Sequence, residues 1–453
     1  MTSFRILLFL WCCGLATAAE RMPLSSSTWR DPAFVKSFLG AYQPNNRIEP
    51  FISDEERTAL QRLEPLLKAG NRKGAISSLQ KERLSKSSAA LSFNLGQLLF
   101  EEGQLKDAVR AYETALTQYP DFRRAHTSLG ITHARLEKLD EALPHLTKAV
   151  SLGDQSGTTY GLLGYCWLGK GKFASALQAY RNAQMTMPDV LDWKLGEAQC
   201  LQATKDHGAA ARLFQEALHE RPTDGQLWLH FGSAQLGLEH ESEAAAAFEY
   251  AQRLGGLEAS ALKTLGDLYL RLRLPGLALN RYQEAMEMKN GLKAEDALAA
   301  ASALVSQQHW TQARGFLASV RERHKMLPKT PEHRIARRLD AMLLMKEGDQ
   351  KQAITMLEEI LSEDPMDGEV LLLLGDYHWQ AKDYEEAEMC FERAQRVGRT
   401  EVRACLARGR LQVGLLEYAP AIKNLVRAQN LSPSAALAEY LQEVRGAAAA
   451  AGL

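Results

Sequence analysis

Residues 89–122, AALSFNLGQLLFEEGQLKDAVRAYETALTQYPDF, decide the fold, because their spacing returns along most of this 453-residue chain. Alanines recur every 34 residues, at Ala108, Ala142, Ala176, Ala210, Ala244 and Ala278. A second column lies seven residues further on, at Ala115, Ala149, Ala183, Ala217, Ala251 and Ala285. Five alanines of the first column are preceded by a glycine twelve residues earlier, at Gly96, Gly130, Gly164, Gly232 and Gly266. A fixed period of this length indicates one supersecondary unit stacked repeatedly, an architecture that usually binds other molecules.

The window itself has a recognisable order of small and bulky residues: Leu95, Gly96, Ala108, Tyr112, Ala115 and Pro120. This order resembles the tetratricopeptide repeat, which has Leu-Gly near its start, alanine at positions 20 and 27, an aromatic residue at 24 and proline at 32. The resemblance implies two antiparallel helices per unit, with small residues where the helices approach most closely. It covers residues 56–435 and implies an all-α fold. That fold is a right-handed α-solenoid of antiparallel helix pairs, the tetratricopeptide superhelix, with about ten or eleven pairs.

The period slips once in the second half of the chain. The step from Ala278 to Ala313 is 35 residues and the next, to Ala353, is 40, after which steps of 34 return. Pro328 and Pro331 lie in the inserted stretch and cannot continue a helix, so a loop is expected there. The predicted organisation is a first array at 56–322 with a divergent first repeat and about seven repeats, a connecting loop at 323–333, a second array of three repeats at 334–435, and a capping helix with an Ala/Gly tail at 436–453.

The amino terminus reads as a secretory signal at residues 1–19. Residues 6–15 are apolar, and Ala16-Thr17-Ala18 supplies the small residues that a signal peptidase recognises. The expected location is therefore periplasmic or secreted, with no integral membrane span after cleavage. The alternative is an uncleaved segment that anchors the protein in the inner membrane.

An N-terminal extension at 20–55 follows the signal. Asp31-Pro32 predicts the start of a short amphipathic helix that ends at Gly40, with Trp29 and Tyr42 on either side. This helix either caps the solenoid or is offered to a partner. Ser53-Asp54-Glu55-Glu56 is a capping box that opens the next helix.

Charge and cysteine usage exclude some classes of partner. The chain has 54 Lys and Arg against 55 Asp and Glu, so no nucleic-acid partner is expected.

The cysteines beyond the signal lack metal-ligand spacing and predict no metal site or cofactor: Cys166, Cys200, Cys390 and Cys405. Cys166 and Cys200 occupy equivalent positions of adjacent repeats, so they either form a disulfide or serve as buried small apolar side chains.

No catalytic constellation is evident. The sequence has no Gly-rich phosphate loop, no GxSxG and no HExxH, and its eleven histidines are scattered. The tryptophans mostly occupy packing positions of the repeat, as Trp167, Trp228 and Trp310 do. An enzyme is therefore not expected.

The resemblance places partner binding on the first helix of each unit, chiefly at positions 2, 5, 9 and 12. In this chain those positions are polar and mostly neutral: Gln97, Arg124, Thr127, Tyr165, Gln199, Gln202, Gln226, Ser233, Lys263 and Asp267. Such groups could hydrogen-bond an extended peptide or a glycan, or form an ordinary solvated wall. No three successive windows carry the Lys and Asn set with which the family clamps chaperone tails.

These observations predict a non-catalytic scaffold in the bacterial cell envelope that binds other proteins or peptides, envelope-complex components among them, in a concave groove. The alternative is a periplasmic protein that binds carbohydrate or peptidoglycan through the amide-rich groove and Tyr165. A processing enzyme is the weakest option, because the repeats leave no room for a catalytic domain.

Overall fold

A computed structural model describes residues 49–82 and 87–452. The predicted signal at 1–19 and the predicted helix between Trp29 and Tyr42 lie outside this part of the chain. Within the described ranges the secondary structure is helical and contains no strand, which confirms the predicted all-α solenoid of helix pairs. The capping box is also confirmed, because Ser53 Oγ accepts from Glu56 N at 3.2 Å and Glu56 Oε2 accepts from Ser53 N at 2.7 Å.

The chain divides into two compact units, one ending at Gly256 and the other beginning at Leu257. The described helices of the first unit are α1 Asp54–Gln61, α2 Glu64–Lys68, α3 Arg72–Lys81, α4 Ala89–Glu101, α5 Leu105–Gln118, α6 Arg123–Arg135, α7 Leu139–Ser151, α8 Gly157–Gly169, α9 Phe173–Thr186, α10 Leu191–Ala203, α11 His207–Glu220, α12 Gly225–Gly237 and α13 Glu241–Gly255. Those of the second unit are α14 Ala259–Arg271, α15 Pro275–Glu287, α16 Ala294–Ser306, α17 Trp310–Arg323, α18 Pro331–Glu347, α19 Gln350–Glu363, α20 Gly368–Gln380, α21 Tyr384–Gln395, α22 Glu401–Gly414, α23 Tyr418–Leu431 and α24 Ala435–Ala450.

Each unit is a stack of helix pairs. From α4 onward in the first unit, a helix packs against the next one along the chain, and the first helices of successive pairs, α4, α6, α8 and α10, also touch one another. The second unit repeats this arrangement and ends in α24, which buries Leu437, Leu441 and Val444 against the last pair. The first helices of the first unit therefore form one layer, which we call the inner layer.

The division between the compact units differs from the predicted division at 323–333. Residues 324–330 do separate α17 from α18, and Thr330 Oγ1 caps α18 by accepting from His333 N at 3.3 Å. However, the helices on either side of this loop are bonded across it. Arg321 pairs with Asp340 and also donates to the carbonyl of Ala336 at 3.4 Å, while α16 packs against α18. The loop is thus an insertion inside one packed stack.

A glycine in the first helix of a pair meets a large side chain from the second helix. A Cβ added to Gly96 would lie 2.5 Å from Tyr112, one on Gly266 would lie 2.4 Å from Tyr282, and one on Gly375 would lie 2.4 Å from Phe391. Such distances are impossible for real Cβ atoms, so the ring occupies the space that a side chain would need. The 34-residue alanines lie in the same interface, and all six are 0% exposed.

In the six pairs from α4–α5 to α14–α15, the turn has a residue in the left-handed region, with φ between 58° and 74°: Gly103, Glu137, Gly171, Lys205, Glu239 and Arg273. The amide of the following residue reaches back to the end of the first helix, as Gln104 N does to Leu99 O at 2.8 Å. This is the Schellman arrangement, in which a left-handed residue lets the last carbonyls find donors. Only two of these six residues are glycine, so the turn is not visible from glycine spacing alone.

We expect Gly266→Ala to destabilise the second unit by about 1–3 kcal/mol, because the new methyl group would overpack the ring of Tyr282. That ring is 0% exposed and its hydroxyl donates to Asp267 at 2.6 Å, so it has little freedom to move. Urea unfolding would measure the loss. The matched control is Gly315→Ala, which lies within α17 with no atom near its Cβ and should be neutral or stabilising. Equal stability of the two variants would contradict the close contact.

We expect Gly171→Ala to cost about 1 kcal/mol for a different reason, since φ at Gly171 is +68° and nothing lies within 4 Å of an added Cβ. The loss is therefore one of backbone conformation alone. Gly208→Ala, in α11, is the control, because it is equally uncrowded and has an ordinary φ. Thermal unfolding should show a lower melting temperature for the first variant only; a drop in both would rule out the conformational explanation.

Candidate partner-binding face

The ten residues predicted to bind partners are divided between the two compact units. Lys263 and Asp267 belong to α14 of the second unit, and the other eight lie on the inner layer of the first unit. The inner layer of the first unit is therefore the candidate partner-binding face. The binding role of all ten residues stays a prediction.

Amide side chains link neighbouring helices of this face. Gln97 Nε2 donates to Ser128 Oγ at 2.8 Å, and Gln199 Nε2 lies 3.2 Å from His230 Nε2, both across 31 residues. Because an amide NH₂ can only donate, His230 Nε2 must accept, which leaves His230 Nδ1–H to donate to Gln202 Oε1 at 3.4 Å. Three of the predicted residues thus fix the distance between successive repeats.

Hydroxyl groups form a second set of links. Asp154 Oδ2 accepts from Thr127 Oγ1 at 2.6 Å and from Thr159 Oγ1 at 2.8 Å. Tyr165 donates its hydroxyl to Glu137 Oε1 at 2.7 Å, and its ring is only 2% exposed. Glu137 is the left-handed residue of the preceding turn, so Tyr165 holds that turn in place. These side chains make the face rigid and offer little free surface themselves.

The remaining predicted residues are more accessible. Gln226 is exposed at the start of α12, and Ser233 bonds the carbonyl of Leu229 at 2.9 Å within the same helix. The guanidinium of Arg124 lies 4.9 Å from the ring centroid of Phe93. In the second unit, Lys263 and Asp267 pair with each other at 2.8 Å. Gln226 and Arg124 are therefore the two positions of the candidate face best placed to meet a ligand.

Although the histidines are scattered along the sequence, three of them form a cluster between α6 and α7. His126 Nδ1 is 3.1 Å from His145 Nδ1, and the rings of His133 and His145 are stacked with centroids 5.9 Å apart. The seven-residue spacing of His126 and His133 puts both on one face of a helix and could have indicated part of this histidine cluster. Contact with His145 depends on the packing of the second helix.

Hydrogen bonding determines the proton positions in the histidine cluster. The carbonyl of Pro120 accepts from His126 Nε2 at 2.9 Å, so neutral His126 has a bare Nδ1 that accepts from His145 Nδ1–H. Burial lowers the pKa of all three histidines, and that of His145 falls to about 4. The charged groups that face the cluster are of both signs: Glu113, Asp121, Lys138, Glu141 and Lys148.

Neither thiol chemistry nor metal binding is supported at other clusters of the described residues. Cys166 and Cys200 are both buried thiols, and burial raises the pKa of Cys200 to about 12, which disfavours the nucleophilic thiolate. In residues 49–82 and 87–452, no group of His, Cys, Asp and Glu side chains is arranged to hold a metal ion. Across the same residues, no helix has the length and apolar character that a bilayer span requires.

We expect acid to weaken the first unit through the histidine cluster. Because the folded pKa of His145 lies below its usual 6.5, the unfolded chain binds more protons between about pH 6.5 and 4. The free energy of unfolding is thus highest above pH 6.5. It falls by about 1–2 kcal/mol as pH falls toward 4, once the partial exposure of the ring is allowed for. Urea unfolding across this range should show a shallower pH dependence for His145→Gln. His219→Gln, at an exposed histidine of α11, is the control, and parallel profiles for wild type and His145→Gln would refute the assignment.

Comparison with known proteins finds the tetratricopeptide repeat at residues 93–157, 167–228 and 344–409. BBSome complex member BBS4 of Bos taurus is 23% identical over 240 residues, covering 45% of this chain and 46% of that protein. DnaJ homolog subfamily C member 3 of Mus musculus is 21% identical over 328 residues, covering 66% of this chain and 64% of that protein. The chain thus spans less than two thirds of each of these relatives.

Among the solved structures similar to this chain is YrrB, described as a TPR protein with an unusual peptide-binding site. YrrB is 19% identical to this chain, and the match covers 42% of this chain and 97% of YrrB with a TM-score of 0.38. The repeat matches fall in both compact units and coincide with the windows that carry the 34-residue alanines and the glycine–ring contacts. Both compact units of the chain therefore contain tetratricopeptide repeats.

Proposed function

We propose that this protein is a non-catalytic scaffold that binds partner proteins on the inner layer of its first compact unit. The observation that carries the proposal is the preorganisation of that face. Gln97, Gln199 and Thr127 each bond a residue of the neighbouring repeat or of the turn before it. A surface that is already ordered loses little conformational entropy when a partner binds.

Its expected setting is the bacterial cell envelope, where envelope-complex components are the natural partners. Support for this location comes from the signal-like residues 6–18 of the sequence. Tetratricopeptide-repeat proteins generally act by binding other proteins, which agrees with a scaffold role.

The carbohydrate alternative loses its aromatic platform in the structure. Tyr165, the ring on which a sugar would stack, is 2% exposed and donates its hydroxyl to Glu137. The amides of Gln97 and Gln199 are likewise bonded to neighbouring helices. The geometry therefore favours a protein partner over a glycan.

The test is site-specific photocrosslinking in cells at position 226, with position 216 as the matched control. Gln226 is exposed on the first helix of its pair, and Glu216 is exposed on the second helix of the preceding pair. We expect one protein to crosslink at 226 and not at 216. With that partner purified, Gln226→Arg should weaken binding about ten-fold, which corresponds to about 1.4 kcal/mol, and Glu216→Arg should not. Equal crosslinking at both positions, or no effect of Gln226→Arg, would refute the assigned face.

A further inference from the structure

The amino end of α6 concentrates positive charge. Arg123 and Arg124 are its first two residues, its first turn contains no acidic residue, and Phe122 at the N-cap makes no side-chain hydrogen bond. The amino end of a helix is already the positive end of its dipole, so two cations there are unfavourable without a nearby anion. Asp121, the adjacent acidic residue, pairs instead with Lys148 at 2.8 Å.

The anion comes from Glu49, far upstream in the sequence. Its side chain is 6% exposed, and its Oε1 lies 3.9 Å from Arg123 Nη2. Arg124 also attracts the Glu49 carboxylate, and its guanidinium is positioned by the ring of Phe93. The start of α6 and the residues before α1 therefore meet at a carboxylate.

This carboxylate is poorly bonded. Among the described residues neither of its oxygens has a hydrogen-bond partner, and 3.9 Å is beyond hydrogen-bonding distance. Burial raises the pKa of Glu49 to about 7 even though both arginines act to lower it. Phe51, two residues further on, is 79% exposed and adds no anchor. A carboxylate free to reach a bidentate geometry on an arginine would bind more strongly than Glu49 does.

We propose that Arg123, Arg124 and the amino end of α6 form a binding site for the carboxylate of an extended acidic segment. The chain's own Glu49 occupies this site in cis and must leave before the acidic segment of a partner protein can bind. This inference rests on the proposed binding role of the inner layer. It adds the chemical group that is bound, a carboxylate, and a means of regulation, which is competition by the chain's own Glu49. Its test uses the chain's own sequence, so it is independent of the crosslinking at position 226.

The probe is a fluorescent peptide of residues 45–53, NNRIEPFIS, titrated into the full chain and followed by anisotropy. In the wild type the cis segment excludes the peptide. Glu49→Gln removes the competing carboxylate, and we expect the peptide to bind at least ten-fold more tightly to this variant. A control peptide with Glu49→Gln should gain nothing, because it lacks the carboxylate that the arginines recognise.

Arginine variants in the Glu49→Gln background test the site itself. Arg124→Gln should cancel the gain, and Arg123→Gln serves as a second variant if Arg124→Gln fails to fold by circular dichroism. Arg135→Gln is the matched control, since Arg135 lies on the same helix with its guanidinium 5.1 Å from the ring centroid of Phe100. It is about 18 Å along α6 from Arg123, so its loss should leave peptide affinity within two-fold.

Two results would overturn the proposal: equal peptide affinity for wild type and Glu49→Gln, or equal losses from Arg124→Gln and Arg135→Gln. A wild-type chain that forms dimers which Glu49→Gln abolishes would overturn the cis assignment, because the segment would then bind a second copy.

Discussion

The close contact between a first-helix glycine and a large second-helix side chain determines how most of the helix pairs are built. Tyr180 shows this most fully, because a Cβ on Gly164 would lie 2.9 Å from its ring and one on Gly196, in the next pair, would lie 2.2 Å away. One side chain therefore sets both the approach of the helices within a pair and the approach of the next pair. Where a ring meets glycines in this way, the spacing of glycines and rings along the chain sets the spacing of the helices. Interiors packed at this density tolerate little change in volume, which explains why small residues return at a fixed period.

The residues at the repeated positions pack the helices together, so the polar side chains that could bind a ligand lie at the variable positions between them. On the inner layer these variable residues mostly bond each other, as Gln199 and Gln202 do around the ring of His230. The buried imidazole also stacks on Phe214, with centroids 5.3 Å apart. Polar groups satisfied in this way stiffen the stack, because breaking one bond leaves its partner buried and unpaired. The inner layer is consequently rigid, and the residues able to make new contacts are those at the helix starts.

The sequence predicted the helix pairs, because their packing repeats at a fixed period. It did not predict contacts between residues at non-equivalent positions of the repeat. The window at 89–122 led to a helix pair that the structure places at Ala89–Glu101 and Leu105–Gln118, because alanine, glycine and tyrosine spacing reflects that contact directly. The histidine cluster was missed, since His126 and His145 are 19 residues apart on different helices. The division between the two repeat arrays at 323–333 stays a prediction, whereas the compact units divide at Gly256, which the repeat spacing does not mark. Tyr165 was assigned to a groove surface, although its hydroxyl is held by a turn residue, Glu137, that has no place in the repeat pattern.

A contrast between two polar sites shows why the start of α6 differs from the rest of the stack. In the second unit, Glu388 Oε1 accepts from Arg408 Nε at 2.7 Å and from Gln412 Nε2 at 2.9 Å, and Asn424 continues the network by donating to Gln412 at 2.9 Å. There a partly exposed carboxylate has two direct donors at short range, so exchanging it for another would break two hydrogen bonds. Glu49 is buried more deeply, at 6% exposed against 31% for the Glu388 side chain, yet its oxygens have no donor among the described residues. A buried charge without hydrogen bonds raises the free energy of the arrangement that contains it. The contact at α6 is therefore held by fewer hydrogen bonds than the Glu388 network, which is why we propose that a better-fitting carboxylate replaces it.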